Sequence, residues 1–222
     1  MKIIAVNNQK GGTGKTTTAA ALGFGLYHRG YKILLIDLDG QGNLSYTLNA
    51  DNDRYGTFGI MERPETVMGE IQHILDGEGK IDIIASTERL AIAEKIFTEL
   101  GKEYKLKEAL QQIPMESYDY VIIDTPPVNV VSDAMVISKS IAGILLVLKY
   151  GVTTYEDLKE ATRKTELSNT SIVGCVLNGI KRRSGSHSYK YKYKYKYKNY
   201  YSYGYGSSGK KSNDDDANSV ND

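Results

Sequence analysis

The sequence predicts an α/β fold in three layers, a mostly parallel sheet flanked by helices. Three observations predict it. Short apolar runs alternate with helical patterns along the chain, the arrangement that gives a parallel sheet with right-handed crossovers. The apolar runs lack period-two alternation, so they read as strands covered on both faces. The first of them passes through a glycine-rich turn straight into a helix.

The elements follow in order. "KIIAV" is a first strand and Lys15 to Arg29 a helix; "KILLIDLD" is a second strand and "IDIIAS" a third. "ERLAIAEKIFTELGKEYKLKEALQQI" has a helical pattern with a break at Gly101. "YVIID" is a fourth strand, Val131 to Ser140 a short helix and "AGILLVLKY" a fifth strand. "TYEDLKEATRKTEL" is a helix with charges on one face, and "SIVGCVLN" is a sixth strand. In such sheets ligands bind beyond the carboxyl ends of the strands, so the loops leaving each strand carry the functional candidates.

Bulk composition bounds the rest. The chain has 222 residues, 25% charged and 41% hydrophobic, as expected of one globular domain with a sizeable core. Cys175 is the sole cysteine, which excludes an intramolecular disulfide; its apolar run "SIVGCVLNGI" predicts a buried structural thiol. The apolar stretch in "MKIIAVNNQKGG" is too short for a signal peptide, and no run approaches a membrane span. The expected compartment is the cytoplasm, with peripheral attachment at the inner membrane face as a further option.

The net charge of +1 hides an uneven layout. Ten Lys and Arg and no acid lie between Lys181 and Lys211. Nine of the 18 tyrosines fall in the same region, at Tyr189, Tyr191, Tyr193, Tyr195, Tyr197, Tyr200, Tyr201, Tyr203 and Tyr205. With no aliphatic residue from Lys181 to Asp216, this region cannot bury a core. The expected division is a folded domain over 1–183 and a disordered Tyr/Lys-rich tail over 184–222.

"NQKGGTGKTTT" joins the first strand to the first helix. The usual phosphate-loop pattern needs glycine at residue 9, where this chain has Gln9; the deviant form K-G-G-x-G-K-[ST] fits Lys10 to Thr16. The physics of a P-loop survives. Gly11, Gly12 and Gly14 let backbone approach an anion, and the N–H groups of the loop, Thr13 within it, together with those that open the helix as far as Thr17, are expected to cradle phosphates. Lys15 is expected on the β- and γ-phosphates and Thr16 on Mg²⁺. The expected fold class is thus a P-loop NTPase that takes a nucleoside triphosphate with Mg²⁺, and the ATPase resemblance given below implies that the nucleotide is ATP.

Carboxylates close the other strand ends. In "LLIDLDGQGN", Asp37 and Asp39 lie two apart and share a strand face, so both can turn toward the phosphates. "YVIIDTPP" sets Asp124 at the end of an apolar strand, the position of a metal-shell aspartate. Three carboxylates beside a triphosphate require a cation. Lys15, Asp37 and Asp39 are the catalytic candidates, and Thr16, Asp39 and Asp124 the metal candidates. Asp133 in "NVVSDAM" is a weaker one, with helix capping by Ser132 or Asp133 as the alternative.

Two family resemblances rest on these residues. "NQKGGTGKTTTAAALG", "LLIDLDGQGNLSYTL" and "STERLAIAEKIFTELGKEYKLKEAL", over residues 1 to about 125, resemble ParA/MinD-type ATPases. That resemblance implies that Lys10 is the signature lysine reaching a partner's phosphates in an ATP-dependent dimer, and that the fold binds DNA non-specifically. Resemblance to related P-loop proteins also makes Asn178, at the end of the sixth strand, a base-recognition candidate, with a plain turn residue as the alternative. "YDYVIIDTPPVNVVSDAMVISKSIAGILLVLKYGVTTYEDLKEA", "IVGCVLNGI" and the tyrosine cluster, over about 118 to 210, resemble bacterial tyrosine kinases of the capsule and exopolysaccharide type. This second resemblance implies autophosphorylation of tail tyrosines, self-association and a separate transmembrane activator. The kinases usually carry Arg where this chain has Gly40.

Overall fold

The computed structural model describes residues 1–90, 102–126, 142–167 and 169–180. The chain divides into two units, Met1–Arg182 and Arg183–Asp222, and every described residue belongs to the first. The expected tail, its nine tyrosines, the helix at Val131 to Ser140 and Asp133 lie outside the described residues.

Strands β1 (Lys2–Asn7), β2 (Lys32–Asp37), β4 (Lys80–Ile84), β5 (Tyr120–Asp124), β6 (Gly143–Lys149) and β7 (Ile172–Asn178) are the six read from the sequence. A further strand, β3 (Gln72–Asp76), forms a hairpin with β4. The sheet order is β3-β4-β2-β5-β1-β6-β7, parallel throughout except for β3. The sequence reading missed β3 because "QHILD" is short, half polar and irregular in register between His73 and Leu75. The "DGEGK" turn that follows was the available signal.

Helices cover both faces. On one, α1 (Lys15–Tyr27) buries Ala19, Gly23 and Tyr27 at four-residue spacing against Ile33, Leu35, Ile81, Ile83 and Ile122. Gly23 is where α1 approaches most closely: a methyl group there would lie 3.2 Å from Leu35. The loop after β2 carries the short helix α2 (Asn43–Thr47). On the other face, α3 (Gly56–Glu62), a 3₁₀ turn, α4 (Val67–Glu70) and α5 (Lys102–Gln112) enclose Leu34, Ile36, Ile84, Val121 and Ile123. Helix α6 (Tyr155–Leu167) brings Leu158 and Ala161 onto Ile144 and Leu146.

One buried charge is fully partnered. Asp82 of β4 accepts from the Tyr118 hydroxyl, Lys80 Nζ lies at 2.7 Å and His73 Nδ1 at 3.0 Å. Burial and that carboxylate push the Tyr118 phenol above its ordinary range. These contacts tie the β3–β4 hairpin to the segment entering β5.

Strand β7 departs from expectation. It is the sheet edge among the described residues, and its burial alternates between half-buried and exposed. Cys175 is exposed, not buried. Composition gave no hint, because an edge strand and a central strand can share the same apolar run.

Candidate nucleotide site

The parallel register brings the carboxyl ends of β1, β2 and β5 together. Asp37 pairs in register with Asp124, and Asp124 with Val6 at the mouth of the glycine-rich loop. The loop then turns into α1 through Gly14, whose φ of 98° is in the left-handed region. Helix α1 has no side-chain cap and no acid in its first turn. Its first amides are therefore left to an external anion, with the helix dipole favouring negative charge.

The loop is braced from within and from β6. Asn8 Nδ2 donates to Val147 O, and Lys10 N donates to Asn8 Oδ1 at 2.7 Å. Lys149 Nζ donates to Gly12 O at 2.9 Å. Asn178 Nδ2 donates to Thr13 O at 2.9 Å, and the same amide fills the space beside Gly14. The sequence offered Asn178 as a base contact; its side chain here braces the loop. Gly14→Ala combines left-handed strain with a collision against that amide. We expect it to cost about 1–3 kcal/mol of stability and to weaken binding of a fluorescent nucleotide. Chemical denaturation and a fluorescence titration would check this, and an unchanged midpoint and affinity would refute it.

Lys15 is 6% exposed, and its Nζ reaches Lys10 O at 3.5 Å. Burial lowers its pKa, while Asp124 and Asp39 pull it back up. Asp37 is fully buried, and both oxygens are engaged. Oδ1 accepts from Asp39 N at 3.2 Å; Oδ2 accepts from Ser45 N at 2.9 Å and Ser45 Oγ at 2.7 Å. Burial raises its pKa against those hydrogen bonds. Ser45 Oγ in turn accepts from Ser86 N at 2.8 Å, which links the ends of β2 and β4. Asp39 is half-buried, and its Oδ1 accepts from Gln41 N at 3.0 Å, an Asx turn.

Asp124 is different. Its side chain is fully buried, yet neither oxygen has a hydrogen-bond partner of normal geometry. Burial drives its pKa up to about 7, opposed by the nearby Thr16 hydroxyl and Lys15 and reinforced by Asp37 and Asp39. Buried carboxylate oxygens without donors are costly unless something else meets them.

A magnesium nucleotide fits this donor set. Thr16 and Asp124 offer a hydroxyl and an acceptor-only carboxylate, and Lys15 and the α1 amides offer positive charge for phosphate. Among the described residues no three His, Cys, Asp or Glu form a metal cluster. Mg²⁺ takes one or two carboxylates and keeps water and phosphate oxygens for the remaining positions.

Lys10 points elsewhere. Its Nζ pairs with Asp157 Oδ2 at 2.6 Å, which takes the Asp157 pKa down to about 2. Asp157 also caps α6: its N donates to Thr154 Oγ1 at 3.1 Å, and Thr154 N donates back to Asp157 Oδ2 at 2.8 Å. Sequence reasoning missed Asp157, Lys149 and Ser45. The Thr154-x-x-Asp157 spacing was a legible cap, and Lys149 a legible charge at a strand end. Nothing in the sequence tied either to the loop. Gly11 and Thr17 are exposed at the loop, where the sequence set them.

Sheet order, glycine-rich loop and strand-end carboxylates together define a P-loop domain of the ParA/MinD type. The chain belongs to the AAA_31 family (AAA domain), which matches residues 1–173. It is 39% identical over 130 residues to the sporulation initiation inhibitor protein Soj of Bacillus subtilis, covering 57% of this chain and 50% of Soj. It is 29% identical over 184 residues to the tyrosine-protein kinase Etk of Escherichia coli, covering 83% of this chain and 24% of the kinase. Among solved structures, cobyrinic acid a,c-diamide synthase from Mycobacterium smegmatis, with bound ATP analogue and magnesium, aligns with TM-score 0.65 and 26% identity. That alignment covers 80% of this chain and 72% of the synthase. The chain thus spans half the length of Soj and about a quarter of Etk. The kinase similarity is also broader than the stretch from about 118 on which it was read, since it runs over 184 residues.

Proposed function

We propose that this chain binds ATP with Mg²⁺ and transfers the γ-phosphoryl group to tyrosines of its own kind, as a bacterial P-loop protein-tyrosine kinase. The observation that carries the nucleotide site is the pair of unpartnered Asp124 oxygens beside buried Lys15. The tyrosine cluster that follows β7 in sequence supports the choice of acceptor. Mg²⁺ supplies charge neutralisation when bound. Lys15 and the α1 amides hold phosphate oxygens, Thr16 and Asp124 hold the cation, and Asp39 orients the phenol. Asp37, with both oxygens engaged, acts as a positioning residue for the loop after β2. A tyrosine near pKa 10 stays protonated at neutral pH, so an orienting carboxylate helps. Each phosphate adds roughly −1.5 to −2 charge to a basic segment. That changes its attraction to acidic surfaces, in keeping with control of exopolysaccharide synthesis and a separate membrane-bound activator. Among the described residues no helix is long and apolar enough to cross a membrane.

A second reading is a ParA-like ATPase that dimerises on ATP to move DNA or other cargo. Lys10 favours it: half-exposed and held by one ion pair, it sits at the position of the signature lysine. Water then replaces the phenol. One experiment separates the two. The purified chain is incubated with Mg·ATP and its tail peptides are analysed for phosphotyrosine by mass spectrometry. A tail-deleted form is tested in parallel for DNA binding. Phosphotyrosine in the cluster is expected. Its absence, with ATP-dependent, salt-sensitive DNA binding that survives loss of the tail, would replace the kinase with the ATPase.

A further inference from the structure

Two neighbouring strand ends hold the glycine-rich loop by its carbonyls. Lys149 ends β6 and Asn178 ends β7, and the two residues pair in register. Strand β6 also pairs with β1, which sets both ends beside the loop that leaves β1. From there Lys149 Nζ donates to Gly12 O and Asn178 Nδ2 to Thr13 O, each at 2.9 Å. The two donors thus take consecutive carbonyls. Both residues are themselves held. Asn178 Oδ1 accepts from Gly179 N at 2.8 Å, and Asn178 O accepts from Tyr150 N at 2.8 Å. Lys149 N donates to Thr153 Oγ1 at 2.9 Å. Side-chain bonds from within the loop are longer: Lys10 O meets Thr13 Oγ1 at 3.4 Å and Lys15 Nζ at 3.5 Å.

A trans peptide is planar, and its carbonyl and N–H point opposite ways. Fixing Gly12 O therefore fixes where Thr13 N–H points, and fixing Thr13 O does the same for Gly14 N–H. Among the described residues neither amide has an acceptor. Gly12 and Gly14 have φ of 66° and 98°, and Thr13 between them is not at positive φ. Such alternation turns successive amides toward one side, as an anion-binding concavity. Glycine also makes that shape costly to hold, since it loses the most conformational freedom on ordering. We propose that Lys149 and Asn178 are positioning residues that preset this concavity: they grip two carbonyls so that the opposed amides await phosphate, and neither touches the nucleotide. The inference rests on the nucleotide reading above and adds the source of the loop's rigidity. It gives Asn178 a role toward the phosphates of the ligand and none toward its base.

The test titrates the whole chain with Mg·ATP and with Mg·tripolyphosphate, which has the phosphates without a base. Lys149→Met and Asn178→Ala are each expected to weaken both probes by the same factor, about three- to ten-fold. The ratio of ATP to GTP affinity should stay at the parent's value in both. Lys149→Arg, which keeps a long cationic donor, should recover most of the loss. The loss in Lys149→Met should persist at about 0.5 M salt, where direct attraction between an exposed charge and phosphate is screened. Lys149 is half-buried and Asn178 exposed, so neither variant opens the core. Denaturation midpoints check folding, and if one variant fails to fold the other reads the same effect. An Asn178→Ala chain that loses affinity for ATP alone, together with its preference over GTP, would make Asn178 a base contact and overturn the proposal. So would a Lys149→Met loss that disappears in salt, or affinities unchanged in both variants. A parent chain that binds neither probe would refute the nucleotide site itself, and the proposal with it.

Discussion

Lys15→Met is expected to lower Mg·ATP turnover by about 100- to 1,000-fold, whether the phosphate goes to tyrosine or to water. The size follows from where the ammonium lies. It is buried at the base of the loop, flanked by Asp124 and Asp39, and its hydrogen bond to Lys10 O is long at 3.5 Å. A charge held that way adds little to the empty protein and much to a phosphate that accumulates charge in transfer. The fold should not suffer. Burial lowers the lysine pKa from its usual 10.5, so the folded state binds its proton less tightly than the unfolded chain does. For such a group stability rises with pH between the lowered value and 10.5, and methionine removes that dependence along with the desolvation cost. Phosphate release and phosphotyrosine content measure the first effect, and denaturation midpoints at neutral and alkaline pH the second. Turnover within ten-fold of the parent would remove Lys15 from the chemistry, whereas a collapse of stability would show that the side chain holds the loop together.

The placement of this candidate site's residues was legible in the sequence wherever it depends on local pattern. The loop from Lys10 to Thr16 sits between strand and helix as spacing required, because a glycine-rich turn before a helix has few other uses. Asp37 and Asp124 could be assigned to one site from strand ends alone, since a parallel sheet aligns its carboxyl ends. What local pattern could not tell was how those carboxylates differ. Asp37 and Asp39 looked equivalent, being two apart on one strand, but Ser45 engages Asp37 from a helix six residues beyond Asp39. Among the described residues Asp124 has the Thr16 hydroxyl nearby and no hydrogen-bond partner of normal geometry, which is a property of the packed interior. Asp157 and Lys149 reach the loop from the helix after β6 and from the end of β6 itself, the strand beside β1, at sequence separations of 147 and 137 residues. No motif spans such distances. Cys175 shows the same limit in the core: an apolar run announces a strand, and only sheet order says that the strand is last.

Asp124→Asn should divide stability and activity even more sharply. The folded protein holds the Asp124 carboxyl at a pKa of about 7, against 3.8 for the unperturbed group, chiefly because it is buried. Between those two values the folded state keeps a proton that the unfolded chain has released. Stability contributed by this group is therefore complete below about pH 4, falls as pH rises through the window, and levels off above about 7. The whole drop is on the order of 4 kcal/mol, at about 1.4 kcal/mol per pH unit. Asparagine carries no charge to desolvate. Without Mg²⁺ the variant should be more stable than the parent at pH 8, similar at pH 5, and nearly flat between. Added Mg²⁺ should restore stability to the parent at pH 8, because a divalent cation favours the ionised carboxylate, and should do little for the variant. Mg·ATP turnover in the variant should fall about 100-fold or more, since a neutral amide is a far weaker ligand for a hard cation. Urea denaturation at the two pH values, with and without Mg²⁺, reads the first set of effects. A variant that is less stable than the parent at pH 8 would mean that Asp124 has a partner in solution that satisfies its charge, and the site would then need a different cation ligand.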